Sequence, residues 1–138
     1  MTSVFTDLNP GDYVLAEPYH NLIGGMSAIL HDIKTVNIGD NDITVATFSV
    51  CSITRRDTMR DNSDLSNMDV RITEFSDRSY MFQQKRLKAK IEIVGNRAII
   101  TTKVLPQLGY PSFIRDITYF CQALGLTSGR DHEIISLN

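Results

Sequence analysis

The chain has 138 residues, of which 42% are hydrophobic and 22% charged, with 8 Gly, 4 Pro and a formal net charge of -2. That length supports one domain with a real core and not two, and the composition excludes collagenous, low-complexity and disordered classes. With a sequence pI near 5.9, the chain is no polycation that coats nucleic acid indiscriminately, so any contact with RNA or DNA requires a local basic face.

The first predicted element is a short strand in DYVLAEP, 12 to 18, which follows an Asn-Pro-Gly turn signal and ends at a proline. After a Gly24-Gly25 break, MSAILHDIKTVNI, 26 to 38, sets Ile29, His31, Ile33 and Thr35 on one strand face against Leu30, Asp32, Lys34 and Val36. GDND, 39 to 42, turns the chain into ITVATFSVCSIT, 43 to 54, which is rich in β-branched residues and reads as a central strand. The segment 55 to 67, RRDTMRDNSDLSN, is polar and mixed in charge, as an exposed excursion between strands would be.

MDVRITEF, 68 to 75, alternates Met68, Val70 and Ile72 with Asp69, Arg71 and Thr73, and SDRS then supplies a turn. In QKRLKAKIEIV, 84 to 94, Leu87, Ala89, Ile91 and Ile93 alternate with Lys88, Lys90 and Glu92, which gives one apolar and one charged face. Gly95-Asn96 joins this strand to RAIITTKVLP, 97 to 106, as a tight hairpin. Beyond Pro111, Ser112 can cap a helix whose Phe113, Ile114, Ile117, Phe120, Cys121 and Leu124 share a face, with Gly125 just past its end. The tail SGRDHEIISLN can add a last helical turn or a packed extension. The expected architecture is α+β, one domain over 1–138, with an antiparallel sheet over about 12–106 and a C-terminal helical segment over about 111–138 on one sheet face.

Cys51 and Cys121 form neither a disulfide framework nor a CxxC pair and read as reduced core thiols. The opening MTSVFTDLNPGDY has no basic and apolar signal pattern, and no apolar run approaches the roughly 20 residues that cross a bilayer. A cytoplasmic site of synthesis and assembly, with no membrane partner, is the expectation. His20, His31 and His132 fit neither HExxH nor a Cys/His ligand spacing, and the phosphate-cradle and nucleophile-elbow motifs are missing. Carboxylate pairs such as Asp61/Asp64 and Glu74/Asp77 fall in predicted loops or turns. No catalytic residue, metal site or cofactor is therefore predicted, and the chain reads as a non-enzyme.

The outward face of the predicted strands carries Arg71 and Thr73, then Lys88 and Lys90, then Arg97, Thr101 and Lys103. If these strands are neighbours, their cations and hydroxyls form one patch suited to a phosphate backbone. The plainer alternative is a solvated face with lysines for solubility, and Glu92 dilutes its charge. Without alternating aromatics it does not look like a stacking platform for single strands.

MDVRITEFSDRS followed by KRLKAKIEIV, and RAIITTKVLP leading into SFIRDITYFCQALGL, resemble the coat proteins of single-stranded RNA bacteriophages, the leviviruses. The resemblance covers most of the chain. It implies an N-terminal hairpin before the sheet and an obligate, intertwined homodimer whose two sheets join edge to edge, with each helix over its partner. On that view Ile114, Ile117, Phe120 and Leu124 are dimer-interface residues, although ordinary packing within one chain serves them equally.

The resemblance further implies an icosahedral virion shell, assembled in the cytoplasm of a bacterial host, with the bare sheet face turned toward genomic RNA. Arg71, Thr73, Lys88 and Lys90 fall on positions where the family has basic and hydroxyl residues, while Arg97 and Ile99 stand where known members carry Tyr and Asn. General packaging of single-stranded RNA is thus expected more than recognition of one hairpin, and the Gly95-Asn96 turn is shorter than the family's loop there. The rivals are a non-viral dimeric RNA-binding module and a small α+β enzyme or ligand-binding domain.

Overall fold

In a computed structural model of the protein, residues 3–16, 26–52, 68–76, 78–103, 110–127 and 132–137 are described. Residues 19–25 with the Gly24-Gly25 pair, the segment 55–67, His20, Asp61, Asp64 and Asp77 lie outside them.

The strands are β1 (Tyr13–Ala16), β2 (Met26–Ile38), β3 (Asn41–Ser52), β4 (Met68–Ser76), β5 (Ser79–Gln84), β6 (Leu87–Val94), β7 (Arg97–Lys103) and β8 (His132–Leu137), with one described helix, α1 (Tyr110–Ala123), between β7 and β8. All eight strands form a single sheet in sequence order. Neighbours from β1 to β7 are antiparallel, whereas β8 lies parallel to β7.

This corrects the expected α+β architecture of an antiparallel sheet followed by a helical segment. The described residues form one mixed sheet with a single short helix, and the tail, expected within a C-terminal helical segment as a last helical turn or a packed extension, is a strand. The physical reason is that α1 acts as a crossover: after it, the chain returns to the free edge of β7 in the same direction, which only a parallel pairing permits. The tail also pairs without burying a side chain, since every residue of β8 is exposed. At the N-terminus, β1 pairs with β2 as the first two strands of this same sheet, not as a hairpin set before it.

Alternation decides which side of the sheet is dry. Phe48, Val70, Ile72, Phe82, Ile91 and Ile100 are almost fully buried on one face, and α1 and the N-terminal segment lie over them. Phe120 of α1 places its ring 5.2 Å from Phe48 and 5.8 Å from Phe82, while Phe5 reaches Phe48 from the N-terminal side at 6.3 Å. The Val4 amide donates to Glu74 Oε2 at 3.1 Å, which fixes that segment against β4. Glu74 lies within β4, as the strand expected over 68–75 implies, and not among the loop or turn carboxylates with which it was also grouped.

Local punctuation explains the register. The predicted hairpin at Gly95-Asn96 is present, with Val94 paired to Arg97 and Gly95 at a φ of 62°, a value that favours glycine. The β2–β3 turn likewise has Gly39 at a φ of 66°, whereas the turns on either side of β5 use Arg78 and Lys85 at positive φ instead. Arg78 compensates by donating from Nε to the Ile93 carbonyl at 3.3 Å and from its guanidinium to the Gly95 carbonyl. In β2 the register slips between Leu30 and Asp32, so His31 is an extra residue and the alternation reverses there. Ile29 and Ile33, expected on one face, are consequently on opposite faces.

The helix begins at Tyr110, so Ser112 lies in its first turn and does not precede it. Its end is as expected: Gly125 has a φ of 75° and the Leu126 amide returns to the Cys121 carbonyl at 2.8 Å. Cys121 is a buried free thiol, pushed up to about 12 by burial, and is thereby kept protonated and unreactive.

Asp116, also on α1, is 4% exposed. It lies 3.6 Å from Arg115, yet its Oδ1 makes no hydrogen bond. Burial raises its carboxyl above the usual range, against smaller lowering effects of Arg115 and Gln84. A carboxyl raised in the folded state favours folding only while neutral, so its contribution is present below about pH 3.9, where the unfolded chain's Asp ionises, and is lost as pH rises through the folded value. Asp116→Asn is expected to melt with the parent in acid and above it at neutral pH. Thermal melts across that window check this, and a variant less stable at neutral pH would refute it.

Candidate nucleic-acid interface

The face opposite α1 carries no helix among the described residues. Cross-strand register organises it into rows, because directly opposed residues stand about 4.5–5.5 Å apart. One row runs Thr47, Arg71, Gln83, Lys88. The next runs Val45, Thr73, Met81, Lys90, Thr101, Ile135. Beyond it Ser79, Glu92, Ile99 and Glu133 form a third. Lys103 pairs with Leu137 at the β7–β8 edge, and Arg97 pairs with Val94 at the hairpin end.

Arg71, Thr73, Lys88, Lys90, Arg97, Thr101 and Lys103 therefore all occupy this one face. They are not as close as adjacent strands would make them: β5 intervenes, so Arg71 and Thr73 lie two strand spacings, about 9–10 Å, from Lys88 and Lys90. Gln83 and Met81 fill the interval. All five cations, Arg71, Lys88, Lys90, Arg97 and Lys103, are exposed. Lys90 is held 3.2 Å from Glu92, with both side chains about half exposed, so part of its charge is spent locally.

At the β5–β8 corner the face is concave. A hollow of about 400 Å³ is bordered by Arg86, Lys88, Lys90 and Lys103, with Met81 and Leu137 among its apolar lining. The backbone beneath it is tied by Thr102, whose Oγ1 donates to the Lys88 carbonyl at 2.7 Å. Arg86, Met81 and Leu137 were not among the sequence-predicted site residues; no local pattern marks them, since β8 joins the corner only through the parallel crossover.

The opposite end of the same face holds a second group that sequence reading missed. Ser49 Oγ donates to Asp69 Oδ1 at 3.1 Å, and His31 Nε2 is hydrogen-bonded to Ser49 Oγ. Because the single hydroxyl proton goes to Asp69, the imidazole N–H must donate to Ser49. A hydrolase triad needs the reverse, an imidazole lone pair that takes the serine proton while the carboxylate orients the imidazole. The group is thus a polar surface network with no activated nucleophile. Among the described residues no cluster of three or more His, Cys, Asp or Glu could hold a metal, and no helix is long and apolar enough to cross a membrane.

The helix residues tell a different story from the sheet. Ile117 and Phe120 are fully buried and Ile114 is 8% exposed, while Leu124 packs partly buried at the margin of the same core. All four lie against the chain's own sheet.

No protein-family model, curated protein or solved structure matches the chain.

Proposed function

We propose that this chain is a structural subunit that holds single-stranded RNA on the open face of its sheet and packages it, as a levivirus-type coat protein does in a self-assembled virion shell. One observation carries the reading: residues drawn from three separate strands, Arg71, Lys88, Lys90, Arg97 and Lys103 with Thr73 and Thr101, converge on one face that carries no helix among the described residues. Cations and hydroxyls in rows suit a phosphate backbone without demanding one sequence. With a net charge of -2 for the whole chain, attraction to RNA depends on this placement and not on overall charge.

A second reading is favoured by the helix. Burial of Ile117 and Phe120 within one chain removes the need for a partner to cover them, so a free RNA-binding module would hold RNA on the same face without building a shell. Expression of the chain alone, followed by negative-stain microscopy and absorbance at 260 and 280 nm before and after nuclease, separates the two. Uniform particles with nuclease-protected RNA are expected. A small species that binds RNA supports the module, and a small species with no affinity for RNA refutes both.

A further inference from the structure

β2 and β3 continue past β1 as a two-stranded arm. β1 pairs only with Met26–Ile29, so from Asp32 to Ile38 the outer side of β2 has no strand beside it among the described residues. The helix-side face of the arm is polar: the hydroxyls of Thr35 and Thr44 share a hydrogen bond at 3.2 Å, and Asn37 Nδ2 donates to Asp42 Oδ1 at 2.8 Å. The open face is the apolar one. There Val36 pairs with Ile43 and Ile38 follows on the same side, with Val36 49% and Ile38 60% exposed. One step beyond the Thr44–Glu74 pair, Phe75 is a further exposed apolar residue. The bulge at His31 is the cause, because without the extra residue Val36 and Ile38 would fall on the face of Leu30, which is fully buried. The chain thus interrupts the β2–β3 ladder and turns apolar side chains away from its own core. Single exposed apolar residues are ordinary, but a contiguous strip placed by a bulge marks a contact surface.

The geometry points to a second copy of this chain, turned end for end, as the partner that covers the strip. Charge is the argument. Lys34 lies at the sheet end of the strip and Asp40 in the turn at its tip, with Val36 and Ile38 between them. A strip that runs from cation through apolar to anion is complementary to itself reversed: Val36 of each copy lies over Ile38 of the other, and each Lys34 meets the other copy's Asp40. Asp42, which this register would bring toward Asp32, is held on the opposite face by Asn37. Lys34 stands 3.6 Å from Asp32 of its own chain, but both side chains are more than half exposed, and such a pair holds little free energy. A wholly apolar partner would strip water from Lys34 and Asp40 without replacing it. So few side chains fall short of the roughly 1,000 Å² of a self-sufficient interface, so the contact is weak singly and gains by repetition among many copies. The inference does not depend on RNA binding, since β2 lies about four strand spacings from the Lys88 and Lys90 strand.

Ile38→Cys places a thiol within the strip. Treated with a bismaleimide, this variant should run as a covalent dimer on a denaturing gel, whatever particle the protein forms. Tyr13→Cys, at a comparably exposed position on β1 (63%), controls for chance collisions and should stay monomeric, as should the parent, whose Cys121 is buried. In the Ile38→Cys background, Lys34→Glu or Asp40→Lys alone makes both charge pairs repulsive and should cut the linked fraction about tenfold where linking is partial. An equal mixture of the two charge variants should restore it, because the reversed charges then oppose each other. Ile38, Lys34 and Asp40 are all exposed, so these changes leave the core intact. Equal linking from Tyr13→Cys, no linking from Ile38→Cys, or charge reversals without effect overturn the proposal. So does loss in both charge variants without recovery in their mixture.

Discussion

Replacement of Phe120 by alanine is expected to lower folding stability by about 3–5 kcal/mol, the range for a buried phenylalanine whose cavity cannot fully collapse. The position gathers several parts of the fold. Its ring leaves α1 fully buried, meets Phe48 of β3 at 5.2 Å and Phe82 of β5 at 5.8 Å, and Phe48 in turn contacts Phe5 of the N-terminal segment. Truncation would therefore loosen the helix, two strands and the segment that closes the core beside them. A domain of this kind has about 5–15 kcal/mol in total, so the variant should sit near its threshold. Urea unfolding of parent and variant gives the number from the shift in midpoint at constant slope. The same titration, repeated at several protein concentrations, examines where the helix packs. Because α1 covers its own sheet, the difference between parent and variant should persist at concentrations low enough to dissociate any assembly, whereas a helix whose burial required a partner would lose that difference there. A loss below about 0.5 kcal/mol, the range of an unremarkable surface change, would mean that Phe120 is not the core residue described.

The parts of this architecture that were legible from sequence are those in which apolar and polar residues separate by face. β6 reads as Leu87, Ala89, Ile91 and Ile93 against Lys88, Lys90 and Glu92, and the helix face reads as Ile114, Ile117 and Phe120; both occupy the sides expected of them. β5 fails that test although its burial alternates as regularly. Its inner positions end on Gln84 and its outer ones include Met81, so polarity does not mark the pleat. Its bounding turns were hidden as well, because Arg78 and Lys85 adopt the positive φ that usually advertises itself as Gly or Asn. The omission had a functional cost, since it made Arg71 and Lys88 look like neighbours.

β8 was illegible for another reason: a parallel edge strand that buries nothing leaves no periodic signature, and its partner β7 ends well before it in the sequence. The group His31, Ser49 and Asp69 exists only because the bulge in β2 and the long-range register bring three strands into line. Residue types on a face could thus be read strand by strand. The order of the strands, and with it the hollow, could not.

Removal of three cations from the corner, as Lys88→Ala/Lys90→Ala/Lys103→Ala, is expected to weaken single-stranded RNA about a hundredfold at low salt and to flatten the salt dependence. Each phosphate contact releases condensed counterions, so loss of three contacts should reduce the slope of log affinity against log salt by about 2 for a single strand. Two further variants give this prediction its direction. Glu92→Gln releases Lys90 from the 3.2 Å ion pair that occupies it, and should strengthen RNA binding and steepen the slope. Lys34→Ala removes a cation of equal charge from β2, where it lies 3.6 Å from Asp32 and continues the row Val45, Thr73, Met81, Lys90 on the same face, about four strand spacings from Lys90, and should leave the slope closer to that of the parent than loss of any corner lysine does. If charge alone governs attraction, Lys34 would count as much as any one of the three; if placement governs it, only the corner lysines matter. All three lysines are exposed and none contributes to the core, so unchanged urea midpoints should accompany the loss of affinity. An equal effect from Lys34 would spread the RNA surface evenly along the face and remove the special role of the corner, and no change of slope in the triple variant would place the RNA surface elsewhere on the molecule.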